Sequence, residues 1–339
     1  MRIIYYFCTP MNSVSTTPLV AISAPVAAEL QTYRRLFEST LSHSDSMLHN
    51  ALGYIRSREG KMMRPILVLL IAREAGVINK KVLISAVSLE LLHTASLVHD
   101  DVVDESDLRR GHASVNQKYG NKIAVLVGDY LLARLLTKAA ETGDTRIVSR
   151  IAQLGGTLSE GEIYQLSTSQ HDIPDEASYF RIIHHKTAAL FATCGELGAV
   201  AAQADESFVE TAKRFGELIG ICFQIRDDIF DYFADATIGK PTGNDLLEGK
   251  FTLPIIHALH TAPSPTLLPL IERVKTCSAT REDVATLVEY TKSHGGISYA
   301  VSLMENYRNE ALKLLDSFKD EQVRAALEAY ANYVTERNF

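Results

Sequence analysis

The stretch Leu97-Val98-His99-Asp100-Asp101-Val102-Val103-Asp104-Glu105-Ser106-Asp107-Leu108-Arg109-Arg110-Gly111 decides how the chain is read. It closes an apolar helical pattern over 81–103, and Asp100 and Asp104, one turn apart, project from the same face. Two carboxylates side by side in a protein interior repel each other, and burying them uncompensated is costly, so something positive must sit between them. The bland alternative is a solvated acidic helix end paired with Arg109 and Arg110. A second cluster argues against it. Phe223-Gln224-Ile225-Arg226-Asp227-Asp228-Ile229-Phe230-Asp231-Tyr232-Phe233 repeats the D-D-x-x-D spacing on another apolar helix, 127 residues later. Two acidic turns facing each other across a bundle line a cavity with oxygen. That suits magnesium, which takes few carboxylates and keeps positions for water and phosphate oxygens.

Basic residues complete the pattern. Lys61, Arg64, Arg109, Arg110, Lys186, Lys240 and Lys250 stand beside Gly, Pro or predicted helix ends, where a side chain reaches a cavity mouth. Any one alone reads as a surface charge; together with the aspartates they suit a diphosphate. Gly243 to Lys250 only superficially resembles a phosphate loop, since five residues separate Gly243 from Gly249 and Phe251 occupies the Ser/Thr place.

Outward from the two clusters, helical periodicity runs almost throughout and strands have little claim. Leu30, Tyr33, Leu36, Phe37 and Leu41 form one stripe, and Ile123 to Leu136 and Ala188 to Ala202 are apolar on more than one face. Neither a composition break nor a repeat of 20 to 50 residues divides the chain. The expectation is an all-α, single-domain helical bundle around a central cavity over 25–339, after a flexible lead-in over 1–24. The start at Met1 imitates a signal peptide, but its apolar run ends at Thr9-Pro10, and Met11 is an alternative start.

Composition narrows the classes. The chain has 339 residues, is 46% hydrophobic and 22% charged, and carries a net charge of -7, which excludes a disordered or fibrous protein and argues against a broad nucleic-acid surface. Cys8, Cys194, Cys222 and Cys277 form no C-x-x-C pair, so neither a zinc knuckle nor a disulfide framework is indicated. They fit a reducing cytoplasm as buried thiols. No uninterrupted apolar run reaches the length of a membrane span.

With these motifs in order, the sequence resembles the trans-isoprenyl diphosphate synthases, or polyprenyl synthetases, over roughly residues 25 to 335. Gly60-Lys61-Met62-Met63-Arg64-Pro65 is similar to the family's G-K-x-x-R-P element. Glu90-Leu91-Leu92-His93, the first aspartate motif with Arg109-Arg110-Gly111, Gly128-Asp129-Tyr130-Leu131, Lys186-Thr187, the second aspartate motif, and Gly239-Lys240-Pro241 through Asp245, Lys250 and Pro254 follow. Met62-Met63, where basic or aliphatic residues are common, is the one small departure.

The resemblance implies a magnesium-dependent prenyltransferase, usually a homodimer, that elongates an allylic diphosphate by successive head-to-tail trans condensations with isopentenyl diphosphate and releases diphosphate. It implies that Asp100, Asp104, Asp227 and Asp231 ligate magnesium, three ions per active site with substrate bound. Lys61, Arg64, His93 and Arg110 would hold isopentenyl diphosphate. Arg109, Lys186, Lys240 and Lys250 would hold the allylic diphosphate, with Thr187 and Gln224 near the developing allylic cation. His93 alone reads as a core histidine, but it lies seven residues before Asp100 and so on nearly the same helix face. Nucleic acid is not an expected partner; peripheral membrane contact during product release is compatible with the reading.

A terpene cyclase needs no second diphosphate site, so the Lys61, Arg64, His93 and Arg110 set disfavours it. A non-catalytic partner subunit would be expected to lose one aspartate motif, and a helical scaffold explains neither. Short-chain members of the family typically carry a bulky aromatic four or five residues before the first aspartate; here those positions are Ser96 and Ala95. The expected product is therefore medium to long, about seven to ten isoprene units, as used for quinone side chains, with farnesyl or geranylgeranyl diphosphate as the alternative. Four or five residues span about 6 to 7.5 Å of helix, which is where an aromatic would stop a growing chain.

Overall fold

The computed structural model describes residues 18–57, 60–109, 111–169, 174–233 and 242–336. The described chain is a bundle of α-helices: α1 (Pro18–Ser23), α2 (Ala27–Thr40), α3 (Ser46–Arg56), α4 (Met63–Glu74), α5 (Lys80–Val103), α6 (Val115–Tyr119), α7 (Asn121–Ala140) and α8 (Thr145–Ser169). After these come α9 (Glu176–Ile183), α10 (Ala189–Ala201), α11 (Glu206–Phe230), α12 (Asn244–Leu247), α13 (Leu253–Thr261), α14 (Leu268–Lys275), α15 (Arg281–Ser293), α16 (Gly296–Leu314) and α17 (Glu321–Glu336). Among the described residues the only sheet is a two-stranded antiparallel hairpin, Leu108–Arg109 against His112–Ala113. Its tight turn needs Gly111, at φ +75°.

The two aspartate motifs end the two helices that matter most. α5 starts at Asn79, whose side chain accepts from Lys81 N and Val82 N, and runs 24 residues to Val103. Asp205 caps the 25-residue α11 by accepting from Phe208 N. α5 has the length and hydropathy of a membrane span, yet its apolar surface is buried against α4, α7 and α10. Its apolar length belongs to the core, in keeping with the absence of an uninterrupted apolar run in the sequence.

Glycines set how closely the central helices approach. A Cβ on Gly216 of α11 would stand 2.2 Å from Phe191 O, and one on Gly195 of α10 would stand 2.1 Å from Ala212 O. α10 is buried along its whole length. We predict that Gly216→Val destabilises the fold by about 3 kcal/mol or more, because the obstacle is backbone and cannot rotate away. Scanning calorimetry should show a thermal midpoint several degrees lower, and an unchanged midpoint would contradict this packing.

The expected lead-in is shorter than the sequence suggested. Residues 18–24 are helical, not loose: Ile22 of α1 is fully buried and α1 packs on α17. A local Ser/Thr/Pro composition is overridden by an apolar tertiary contact that lies about 300 residues away in sequence. Of the cysteines, Cys194 and Cys222 are buried as expected, whereas Cys277 is exposed.

Candidate active site

Adjacent aspartates within each motif point different ways, since successive residues on a helix diverge by about 100°. Asp101 is 3% exposed and accepts from Arg109 Nε at 2.8 Å, and its backbone carbonyl accepts from Asn116 Nδ2 at 3.1 Å. It fastens the hairpin to α5. Asp100 faces the other way, and burial, then Glu162 and Asp104, push its carboxyl from 3.8 up to about 6 against the pull of Lys186 and Arg109. Negative charge around Asp100 is therefore under-compensated in the protein alone.

On α11, Asp228 is buried and Asp227 half-buried. Asp231 follows the helix end and holds the next segment: its two carboxylate oxygens accept from Asn244 N and Asp245 N, both at 3.0 Å, and its carbonyl accepts from Gly243 N at 2.7 Å. Asp231, expected as a metal ligand, thus also anchors the N-terminus of α12 and the segment that carries Lys250, while each of its oxygens keeps lone pairs.

Lys186 and Thr187 sit in a π-helical turn, His184–Ala188, between α9 and α10. Such turns widen a helix locally and redirect side chains. Here His184 Nε2 lies 3.1 Å from Glu217 Oε1, and α8 approaches so closely at Gly161 that a Cβ there would meet His185 Cβ at 2.6 Å. Lys186 Nζ contacts Glu162 Oε1 at 2.6 Å and donates to Gln165 Oε1 at 2.9 Å, both on α8. Thr187 Oγ1 donates to Gln224 Oε1 at 2.8 Å.

Some of these residues border two cavities. One is lined by Gln165, Tyr179, Lys186, Gln224, Asp228, Asp245 and Lys250. Burial acts to lower the Lys250 ammonium, but Glu248, Asp104 and Asp245 outweigh it and its pKa rises. Lys186 thus reaches the field of Asp100 and Lys250 that of Asp104, which ties this cavity to the first aspartate motif. The second cavity is lined by Gly60, Met62, Glu90, His93, Asp101 and Arg109 among others.

Arg109, expected with Lys186 and Lys250, is held by the buried carboxylate of Asp101, lines the same cavity as His93 and acts on Asp100 as well. Arg64 lies beside that cavity, with its Nη1 3.9 Å from Glu90 Oε2, beyond hydrogen-bond range. Arg64 Nε and Glu90 Oε2 are both buried without a hydrogen-bond partner among the described residues. An orphaned guanidinium donor at a cavity wall is a place for an anion. Lys61 is exposed, with Nζ 5.5 Å from the Tyr333 ring centroid. Arg110 and Lys240 lie outside the described residues. Ala95 is fully buried, and the Ser96 hydroxyl is satisfied by donating to His93 O at 2.9 Å, so neither presents an unpaired polar group.

Comparison with known proteins gives the chain its family. The polyprenyl synthetase family profile matches residues 45–291. An octaprenyl diphosphate synthase from Haemophilus influenzae is 34% identical over 299 residues, covering 88% of this chain and 91% of that protein. A crystal structure of geranylgeranyl pyrophosphate synthase from Bacteroides thetaiotaomicron is 44% identical with a TM-score of 0.84, covering 94% of this chain and 99% of that one. A decaprenyl diphosphate synthase from Rhodobacter capsulatus is 33% identical with a TM-score of 0.88, covering 94% and 99%. Matched along nearly its whole length in sequence and in helical architecture, the chain belongs to the polyprenyl synthetase family.

Proposed function

We propose that this protein adds isopentenyl diphosphate repeatedly to an allylic diphosphate and releases a medium- to long-chain all-trans polyprenyl diphosphate. The observation that carries the reading is a pair of cation-bearing cavities, one lined by Lys186 and Lys250 and the other by Arg109 with Asp101 of the first aspartate motif. The cavity with Lys186 and Lys250 takes the allylic diphosphate, and the one with His93 and Arg109, beside whose Glu90 the unpaired Arg64 Nε lies, takes isopentenyl diphosphate. Lys61 and, by the resemblance, Arg110 belong to the second set and Lys240 to the first.

Asp100, Asp104, Asp227 and Asp231 would hold magnesium, and the cost of ionising Asp100, raised to about 6 by burial and then by Glu162 and Asp104, is what such a cation would offset. Magnesium supplies positive charge to diphosphate oxygens that grow more negative as the allylic C–O bond breaks. Lys186 and Lys250 stand where the same charge develops, and they are preorganised before reaction. The oxygens of Thr187 and Gln224 face the electron-poor allylic carbon, while the double bond of isopentenyl diphosphate attacks it. The proton lost afterwards goes to the released diphosphate. The buried walls around Ala95 keep water from the cation.

Protons and magnesium compete for Asp100. Its raised pKa means that ionising it costs native stability: the cost is absent below pH 3.8, grows as pH rises, and is complete above about 6. Magnesium with diphosphate should therefore raise the thermal midpoint more at pH 7.5 than at pH 5. An equal rise at both would contradict Asp100 as a ligand.

Product length has support on two sides. Small Ala95 and Ser96, and the octaprenyl and decaprenyl names of two relatives, favour a long chain. The 44% identity to a geranylgeranyl pyrophosphate synthase favours a second reading, a twenty-carbon product. A homodimer is the expected assembly, because Val125, Leu126 and Leu136 of α7 and Ile163 and Leu166 of α8 leave large apolar side chains exposed. Sedimentation should give twice the 37.4 kDa chain mass, and a 37.4 kDa species would contradict it. The activity itself is tested by incubating the purified protein with isopentenyl diphosphate, magnesium and each allylic primer. Extension requires all three components, and full activity in excess chelator would end the magnesium reading.

A further inference from the structure

Beside Gln224, the wall of the cavity that Lys186 and Lys250 line carries a hydrogen-bond chain drawn from three elements, with Tyr179 and Asp228 lining that cavity as well. Tyr179 of α9 donates its hydroxyl to Asp228 Oδ2 at 2.6 Å. Gln224 Nε2 donates to Asp228 Oδ1 at 2.8 Å, across one turn of α11. Thr187 of the π-helical turn donates to Gln224 Oε1 at 2.8 Å. Tyr179 and Asp228 are 3% and 4% exposed, so bulk water does not compete for these bonds.

The chain has one direction. Asp228 accepts through both of its oxygens, from the phenol of Tyr179 and from the NH2 group of Gln224. With its NH2 turned to Asp228, Gln224 must turn its carbonyl to Thr187, and the Thr187 proton is engaged on that carbonyl. Gln224 Oε1 and Thr187 Oγ1 both keep lone pairs. The reversed amide would present N–H hydrogens at the same place, which repel a developing cation.

We infer that Tyr179 and Asp228 are positioning residues that hold the Gln224 carbonyl oxygen toward the allylic carbon as it becomes positive; this rests on the prenyl-transfer reading above. Neither residue needs to touch substrate. Tyr179 sets the orientation of Asp228, and Asp228 sets that of Gln224. Replacing Asp228 by Asn supplies a donor that can face the Gln224 oxygen and reverse the amide.

The test is a double-mutant cycle on the full chain, with turnover measured under saturating isopentenyl diphosphate and primer. Tyr179→Phe should lower kcat about ten-fold or more while both KM values stay within about two-fold, and Asp228→Asn should lower it at least as far. Combined with Gln224→Ala, Tyr179→Phe should cost little further, since its effect passes through that amide. Additive losses, or a Tyr179→Phe protein with unchanged kcat, would overturn the inference while leaving prenyl transfer standing. An unmodified protein that extends no primer would instead overturn the reading on which the inference rests.

Discussion

Replacing Asp100, Asp104 or Asp227 by Ala should lower turnover by about three orders of magnitude or more, with the helical circular-dichroism spectrum retained. The size follows from where these carboxylates act. In the proposed reaction they would hold the positive charge that meets the departing diphosphate, and a cation-forming step would have no other route past that barrier. Stability should move the other way at Asp100: burial, Glu162 and Asp104 all oppose its ionised form, so Asp100→Ala relieves repulsion and should not depress the thermal midpoint at pH 7.5. Asp231→Ala behaves differently, because it also releases Asn244 and Asp245 at the start of α12 and so displaces Lys250. Steady-state kinetics beside a melting curve separate the two cases, and an Asp100→Ala enzyme with ordinary turnover would contradict the account.

The second large effect concerns length. Ala95→Phe and Ser96→Phe should shorten the product to about three to five isoprene units while leaving the first condensations intact. An aromatic here lies about 6 to 7.5 Å below Asp100 along α5. Ala95 is fully buried, which makes the outcome diagnostic. If a channel passes it, the ring occupies that channel and the fold tolerates it. If Ala95 merely packs against a neighbouring helix, the ring overpacks the core and costs about 1 to 3 kcal/mol of stability with no change in length. Mass spectrometry of the products with a melting curve tells these apart.

Much of the fold and of the site was legible because both rest on spacing. Apolar periodicity located the long helices, and the i, i+4 aspartates marked the ends of α5 and α11. What the sequence left hidden depends on rotation and on distant partners. Which partner each aspartate of a motif meets follows from helix phase: Asp101 turns to Arg109 and Asp228 to Tyr179, away from the Asp100 and Asp227 faces. Glu162 and Gln165, at i, i+3 on α8, carry a helical signal that could have marked them, but only the fold shows that they receive Lys186. The π-helical turn has no sequence signature of its own. Arg109 looks equivalent to its neighbours in sequence and is assigned to one cavity wall by a buried carboxylate eight residues earlier.

The most direct test is to size the products of the unmodified protein, supplied with isopentenyl diphosphate, magnesium and farnesyl diphosphate, after complete reaction. The account predicts all-trans polyprenyl diphosphates of about seven to ten isoprene units, formed only when both substrates are present. Products that stop at fifteen or twenty carbons, or a cyclised hydrocarbon formed from the allylic diphosphate alone, would contradict it.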